Sequence, residues 1–505
     1  MELINNLIIG FQTSLQPIVF IYCAFGVIGG IIIGALPGLG PSAGIAILLP
    51  LTYGMNPVAG IVMLAGIYYG CMYGGSITAI LINTPGDSAA IVTTMDGYPM
   101  ACKGRAGQAL GMAAFASVIG GTVGLILFTG LASSISRFAL AFGPAEYFAL
   151  MVLGLSAIAG MSGKGLSKGL LSLSIGIFIS TIGLDLFIGV PRFVYGIVPL
   201  YGGIDFIPVA MGLFGLAEII ENQGTEKIEI SNESLKFKNL FPSKEEWRQS
   251  VPHIARGSLI GFFIGVLPGA GATIASFLSY DVAKRTSRRS DLFGTGIIEG
   301  IAAPESANNA ASMGAMLPML TLGVPGSGAT AVMLGALMMF NMTPGPFLFT
   351  KEPEFAWGLI TSMYIGNVIL LILSIIGLPL FVKIIKVKRT ILNAIVAALI
   401  LIGSYALSNS MFEVGVTVLF GLIGYVFKKF KVPSAPLVMA LVLSYITEMN
   451  LRQAMTISRG NFLAVINRPI VIIIFITSFG LLFGKPIIDT IKGIINKKKQ
   501  SETGL

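Results

Sequence analysis

The most polar stretch of an otherwise apolar chain covers residues 299–312 and reads EGIAAPESANNAAS. Carboxylate, amide and hydroxyl oxygens suit a hard cation such as sodium, and ionisable groups inside apolar segments usually mark an ion or substrate pathway. The candidate ligands are Glu305 and Ser306 for a cation, and Asn308 and Asn309 for a substrate. In the alternative, Glu299 and Glu305 lie in a loop that caps a helix beginning near Ser306, because Pro304-Glu305-Ser306 is a plausible helix start.

A second group of polar residues surrounds Pro-Gly pairs. Proline removes a backbone donor and glycine lets the chain turn, so each pair predicts a helix break. The helix that starts beyond a break presents free N–H groups that suit a carboxylate, whereas the carbonyl groups freed by the break suit a cation. Asp87 is a further cation candidate. The other substrate candidates are Ser42, Asn83, Thr84, Ser88, Thr273, Ser327 and Thr330. The alternatives are helix–helix hydrogen bonds for the hydroxyls and a helix N-cap for Asp87.

Few residues offer enzyme chemistry. His253 is the only histidine, and the chain contains no GxxxxGK[ST], HExxH or CxxC motif. We therefore predict that the protein is not an enzyme and needs no cofactor or bound metal beyond a cation held by the candidate residues above. Lys103 and Arg105 could lie near an anionic ligand, but such a pair is more often a cytoplasmic loop.

The composition indicates that the candidate residues belong to a membrane protein. Of 505 residues 54% are hydrophobic and 11% charged, against about 25% charged in a soluble domain. Apolar runs of about 20 residues, enough to span a bilayer as helices, occur at 107–131, 139–160, 169–190, 355–382, 389–408 and 465–485. The net charge of +9 falls in loops between these runs, as the positive-inside rule expects, so nucleic acid is not the partner.

Two pairs of similar motifs indicate an internal duplication. Residues 34–40 read GALPGLG and residues 265–271 read GVLPGAG, an offset of 231 with five of seven positions identical. Residues 82–90 read INTPGDSAA and residues 322–330 read LGVPGSGAT, an offset of 240. Duplicated halves that each carry Gly/Pro-interrupted apolar segments are typical of secondary transporters, with the substrate site at the breaks.

The predicted fold is an all-α polytopic membrane protein with about 10–12 transmembrane helices. Re-entrant or broken helices form at the Pro-Gly motifs, and residues 257–283 form a hairpin if the linker is cytoplasmic. Basic clusters at 284–289 and 497–499 are assigned to the cytoplasm. The expected organisation is a first repeat at 1–220, a polar linker at 221–250, a second, inverted repeat at 251–490 and a basic tail at 491–505.

Three segments carry a resemblance to a known family. They are GALPGLGPSAGIAILLPLTYGMNP, the INTPGD stretch, and EGIAAPESANNAAS with the apolar run that follows it. They resemble the large membrane subunit of the tripartite tricarboxylate transporters, over residues from about 15 to about 480, with APESANNAA the most specific part. The resemblance implies two partners, a small membrane subunit of about four helices and a periplasmic solute-binding protein.

The resemblance also implies an activity and a location. The expected protein lies in the bacterial inner membrane and imports citrate or a related carboxylate, driven by a sodium or proton gradient. We expect alternating access. In the elevator hypothesis, the elements with Pro-Gly breaks move past a scaffold of the long apolar spans. The rival hypotheses are an anion channel, a membrane-embedded enzyme that uses two glutamates, and a purely structural membrane subunit.

Overall fold

The computed structural model describes residues 2–36, 39–160, 166–185, 188–221, 237–268, 271–378, 380–381 and 389–483. Over these residues the chain is almost entirely helical. The described strands are two residues each, Gly183–Leu184 and Pro191–Arg192, which pair antiparallel. The predicted all-α class is therefore confirmed.

The first half of the chain contains ten helices among the described residues. They are α1 (Glu2–Ser14), α2 (Pro17–Gly34), α3 (Pro41–Leu48), α4 (Pro57–Ile82), α5 (Ile91–Met100), α6 (Ala106–Ala139), α7 (Pro144–Gly160), α8 (Leu166–Ser180), α9 (Phe206–Ala210) and α10 (Ala217–Glu221). A π-helical turn at Ala101–Arg105 joins α5 to α6, and another at Met211–Leu216 joins α9 to α10.

The second half contributes eleven more described helices. They are α11 (Lys244–Val266), α12 (Gly271–Thr286), α13 (Glu299–Leu322), α14 (Gly328–Met339), α15 (Pro346–Lys351), α16 (Pro353–Ile376), α17 (Arg389–Ser408), α18 (Met411–Lys429), α19 (Ala435–Ile457), α20 (Phe462–Ile466) and α21 (Pro469–Phe483). Residues 222–236 of the predicted linker and the 491–505 tail lie outside the described residues. The last seven residues of the predicted linker already belong to α11.

Length and composition mark five described segments as able to cross a membrane: Pro17–Gly34, Pro57–Ile82, Ile91–Ala139, Pro353–Ile376 and Met411–Lys429. Six further apolar helices of 10–17 residues occur in the described chain, among them α8 and α14. The protein is thus a polytopic membrane protein, and the number of 10–12 full crossings stays a prediction. The run at 169–190 is helical only to Ser180, because the short strand pair follows.

The described chain divides into two compact units, each built from both halves of the sequence. One comprises Met1–Leu140 and Asp205–Lys429, and the other comprises Ala141–Ile204 and Phe430–Leu505. In the second unit α7 and α8 pack against α19, and in the first α9 and the turn after it pack against α18, which contacts α17. In both units, then, a pair of helices from one half packs against a helix from the other.

A network of four charged residues lies within the second unit. Arg452 donates to Asp185 at 2.7 Å and to Glu448 at 2.6 Å, and Arg192 donates to Glu448 at 3.0 Å. Asp185 is buried and follows α8, whereas Glu448 and Arg452 lie one turn apart on α19. The network therefore ties the end of α8 and the strand pair to α19.

Two glycine seams lie at positions related by the offsets of the sequence motifs. In the first, Gly26, Gly30 and Gly34 of α2 face Met63, Ile67 and Cys71 of α4. In the second, Gly257, Gly261 and Gly265 of α11 face Ala303, Ala307 and Ala311 of α13. Each residue of the second seam lies 231 or 240 residues after its counterpart, and these are the offsets of the sequence motifs. Small residues allow helices to approach this closely in lipid, so the seams support the predicted duplication.

The helix ends at the second break correspond too. Asn83 ends α4 with a φ of 55°, and Gly323, 240 residues later, ends α13 with a φ of 71°. In each case the next N–H reaches back six residues, from Thr84 to Thr78 O at 3.4 Å and from Val324 to Pro318 O at 3.2 Å. Both helices therefore end in the same left-handed C-cap, which turns the chain before its Pro-Gly pair.

We expect Gly261→Ala to destabilise the protein by about 1 to 3 kcal/mol, the usual cost of overpacking. A Cβ at Gly261 would lie 2.6 Å from Ala307 Cα, so α11 would have to move away from α13. The matched control is Gly130→Ala on α6, where nothing lies within 4 Å and the better helix propensity of alanine applies. Unfolding of the purified protein in detergent measures both; equal effects would contradict the close seam.

Candidate functional site

Glu305 lies at the centre of the first unit and is fully buried on α13. Ser76 Oγ on α4 donates to Glu305 Oε1 at 2.6 Å, and Ser117 Oγ on α6 donates to Oε2 at 3.2 Å. Thr93 Oγ1 on α5 also donates to Oε1. Three helices of the first half thus present a hydroxyl to one carboxylate of the second half.

This carboxylate lies inside a helix, since α13 begins at Glu299 and both Glu299 and Glu305 are buried. The alternative in which a helix begins near Ser306 is therefore wrong. The local reason is that Pro304 occupies the second turn of α13, where buried small residues on both sides leave room for its ring. Glu299 pairs instead with Arg289 at 2.5 Å, at the start of the helix.

Asn308 and Asn309 follow one turn later and are also buried. Asn308 Nδ2 donates to Met72 O of α4 at 3.3 Å, and Asn309 Nδ2 donates to Glu305 O at 3.3 Å. Both side-chain oxygens, Asn308 Oδ1 and Asn309 Oδ1, are buried without a hydrogen-bond donor in the described part of the chain. Two acceptors without donors on one helix are unusual, because buried polar atoms are normally satisfied.

The first-half break folds back onto α4. Gly86 N donates to Gly75 O at 3.2 Å, and a Cβ at Gly75 would lie 3.4 Å from Asp87 Oδ1. Asp87 Oδ1 accepts from Ala90 N at 2.8 Å, which fits the predicted capping alternative, while Oδ2 is buried with no donor among the described residues. A Cβ at Gly40 would lie 3.7 Å from Asp87 Cβ, so Asp87 also lies beside the start of α3.

The second-half break is closed by a capping box. Thr330 N donates to Ser327 Oγ at 3.3 Å and Ser327 N donates to Thr330 Oγ1 at 2.8 Å, so both predicted residues satisfy the start of α14. Ser327 Oγ also lies 3.1 Å from Tyr68 OH, a hydrogen bond that links the break to α4.

Contacts between the halves bring the breaks together. Ser88 Oγ, just beyond the second break of the first half, lies 2.7 Å from Thr273 Oγ1 in the first turn of α12. Likewise α3 packs on α14, and α5 contacts α12. Each helix after a first break therefore pairs with a helix after the second break of the other half.

The remaining predicted residues have less direct roles. Ser306 Oγ donates to Ala303 O at 2.9 Å, and Ser306 packs against Gly120 and Gly257, so we leave it out of the site. Thr84 Oγ1 donates to Ile82 O at 3.2 Å, and exposed Asn83 forms the C-cap of α4. Ser42 lies in the first turn of α3, whose N-cap Gly40 supplies no side-chain hydrogen bond.

Lys103 and Arg105 lie in the π-helical turn between α5 and α6, and their cytoplasmic location stays a prediction. Lys103 Nζ donates to Thr295 O at 2.6 Å, and Arg105 pairs with Glu246 at the start of α11. Over the described residues no group of three or more His, Cys, Asp or Glu side chains could hold a metal ion.

The sequence did not single out Asp96, a fully buried carboxylate of α5. Its Oδ1 accepts from Gly294 N, Gly296 N and Ile297 N at 2.8 to 2.9 Å, and its Oδ2 accepts from Tyr280 OH at 2.8 Å. Glycines at 294 and 296, both with positive φ, were the available signal, because they shape a loop whose N–H groups converge on an anion.

Residues 20–439 match the family described as the tripartite tricarboxylate transporter TctA family. This chain belongs to that TctA family. The match spans both halves and all four breaks. Its members are transporters, so the TctA-family assignment makes this chain a membrane component of a tripartite transport system.

Two similar proteins come from Agrobacterium vitis. The chain is 42% identical over 473 residues, 93% of each protein, to an uncharacterized 52.8 kDa protein in the TAR-I ttuC' 3' region. It is 41% identical over 210 residues to an uncharacterized protein in the TAR-II ttuC' 3' region, covering 42% of this chain and 87% of that protein. No solved structure matches this TctA-family chain.

Proposed function

We propose that this chain is the subunit that carries a carboxylate such as citrate across the bacterial inner membrane, by cation-coupled secondary transport. The main supporting observation is that the helices that begin after the breaks pair between the two repeats, beside Asp87, whose buried Oδ2 accepts no hydrogen bond from the described residues. Broken helices survive in lipid only where protein or a water-filled path satisfies their backbone. The small membrane subunit and a periplasmic solute-binding protein are the proposed partners.

The anionic substrate is assigned to the helix starts at these breaks. The first turns of α3 and α12 carry Ser42 and Thr273, and their N–H groups point out of the helix with the positive end of its dipole. Ser88, which is hydrogen-bonded to Thr273, and Ser327 add hydroxyl groups, and Asn309 adds a buried amide oxygen without a donor among the described residues. Asp87 and Glu305 supply the negative charge that a coupling sodium ion or proton needs.

The contacts also support an inverted arrangement of the repeats. Lys103 with Thr295 and Arg105 with Glu246 place the end of α5, the start of α11 and the start of α13 at one end of the unit. The basic cluster at 284–289 makes this the cytoplasmic end. At the other end, the start of α4 meets Phe340 and the start of α16 meets Thr13. The hairpin α11–α12 therefore enters from the cytoplasm and α2–α3 from the periplasm.

Such inverted repeats favour alternating access, because two equivalent conformations of the halves open to opposite sides. An elevator, in which the elements with breaks move as a body, is our preferred form. Cross-links between α3 or α12 and the long apolar helices test it. The elevator fails if such cross-links form identically in inward- and outward-facing states and leave uptake intact.

Reconstitution of the three components in proteoliposomes tests the function itself. We expect uptake of at least one labelled tricarboxylate or related carboxylate that depends on an inward sodium or proton gradient and needs no ATP. If the labelled carboxylate still accumulates when neither a cation gradient nor a substrate gradient is present, transport is not cation-coupled and has another energy source. No uptake of any carboxylate in the panel would overturn the proposal.

Counterflow separates this function from its rivals. A carrier preloaded with unlabelled substrate accumulates labelled substrate transiently, whereas a channel only equilibrates it. Formation of a chemically altered product from the labelled carboxylate or from lipid would instead support a membrane enzyme. The family assignment favours the carrier.

We expect Thr273→Ala to raise the KM for the carboxylate about three- to tenfold, because one hydroxyl near the substrate contributes about 0.5–1.5 kcal/mol. Ser88→Ala should act similarly, and the double variant should cost less than the sum, because the two hydroxyls are hydrogen-bonded to each other. Initial uptake rates provide the measurement. An unchanged KM in all three variants would remove this pair from the substrate path.

A further inference from the structure

Two matched pairs of positions carry different residues in the two repeats. Asn308 lies 240 residues after Tyr68, and Ser327 lies 240 residues after Asp87. In one combination, Tyr68 OH and Ser327 Oγ form a hydrogen bond of 3.1 Å between the halves. If each of these two residues is replaced by its counterpart in the other repeat, the pair becomes Asn308 and Asp87, an amide and a carboxylate.

Asp87 and Asn308 approach the same face of α4. Asn308 Nδ2 donates to Met72 O, and Asp87 lies against Gly75, whose carbonyl accepts from Gly86 N at 3.2 Å. Met72 and Gly75 are three residues apart, so they are neighbours on one helix surface. Two independent contacts therefore place both side chains over one turn of α4.

Each side chain keeps one unused oxygen. Asp87 Oδ2 and Asn308 Oδ1 are buried and accept no hydrogen bond from the described residues, and Asn308 is only 1% exposed. Both atoms accept and neither donates when Asp87 is ionised, so they cannot satisfy each other. The asparagine side chain also reaches less far than the tyrosine at the matching position.

Charge gives a second reason for a ligand at this place. None of the ion pairs formed among the described residues includes Asp87, although its carboxylate lies inside a membrane-embedded unit. An ionised carboxylate without a partner is costly there. A cation between the two oxygens would supply both the missing charge and the missing contacts.

We propose that Asp87 and Asn308 bind a sodium ion, at the position where the other pair of repeat-related residues is closed by the Tyr68–Ser327 hydrogen bond. Carboxylate and amide oxygens are ligands of hard cations such as sodium. The duplication thus yields one ion site and one closed counterpart. This inference deepens the proposed function and rests on its cation coupling.

Binding of radioactive sodium to the purified full chain in detergent tests the site without any transport. In wild type we expect saturable binding that excess unlabelled sodium displaces and choline does not. Asp87→Asn and Asn308→Ala should each raise the half-saturating sodium concentration at least about tenfold, the effect of losing one charge-assisted contact. Thr321→Val is the matched control, because among the described residues this buried hydroxyl of α13 bonds to Leu317 O of its own helix alone.

Asn308→Asp is the control for loss of sodium binding through misfolding, because aspartate keeps an oxygen at the same position. It should bind sodium within about threefold of wild type. Absence of sodium-specific binding in wild type, or unchanged binding in both Asp87→Asn and Asn308→Ala, would overturn the site. Normal sodium binding without carboxylate uptake would leave the site standing and defeat the proposed function, whereas the reverse pattern would defeat the site alone.

Discussion

Glu305→Gln is expected to fold and to lower carboxylate uptake about a hundredfold, the equivalent of about 3 kcal/mol. Glutamine keeps an oxygen for Ser76 and Thr93, and the Ser117 hydroxyl can rotate to accept from the new amide. What the variant loses is one of two carboxylates that give the site its negative charge. Initial uptake rates at saturating sodium, normalised to the amount of folded protein, provide the measurement.

Two companion variants interpret that result. Glu305→Ala should fail to fold, because it leaves three hydroxyls from α4, α5 and α6 without their acceptor. Thr321→Val on the same helix should transport normally. If Glu305→Gln folds and transports like wild type, Glu305 only holds helices together, as the structural-subunit hypothesis requires.

Asp96→Ala is expected to cost about 3 kcal/mol or more of unfolding free energy, since it removes the shared acceptor of three backbone N–H groups and one tyrosine hydroxyl. Ile297 N is buried and has no access to a water replacement, whereas exposed Gly294 can turn outward. Reversible unfolding in mixed detergent micelles measures the loss.

Tyr280→Phe is the matched control for Asp96. It removes only the bond from Tyr280 OH to Asp96 Oδ2 and keeps the ring contact with Phe293, so it should cost about 1 kcal/mol. Equal costs for the two variants would mean that the loop at 294–297 does not depend on the carboxylate.

Apolar run length predicted the class of fold and most helices, because a bilayer leaves backbone groups no partner except their own helix. The motif offsets of 231 and 240 predicted the duplication that the two glycine seams support. Boundaries were less predictable: the helix after 169 ends at Ser180, and α13 begins at Glu299. The alternative start of α13 near Ser306 rested on the preference of proline for helix starts. In the structure, tertiary packing accommodates Pro304 inside the helix.

Some residues of the candidate site were also predictable from the sequence, and others were not. Glu305, Asn308 and Asp87 could be singled out from residue type alone, because a polar or charged side chain is costly inside a membrane whichever residues it contacts. The hydroxyls of Ser76, Thr93 and Ser117 could not be predicted, because each lies far from Glu305 in sequence and resembles many other small residues in apolar helices. The convergence of backbone N–H groups on Asp96 likewise depends on tertiary structure.

The packing of α19 between α7 and α8 has a consequence for biosynthesis. Ala435, the first residue of α19, lies 255 residues after Ser180, the last residue of α8. At synthesis rates of about 5 to 20 residues per second, roughly 10 to 50 seconds pass between the synthesis of α8 and the synthesis of α19. During that interval Asp185 has neither Arg452 nor Glu448 nearby, and Arg192 is the one member of the network already synthesised beside it.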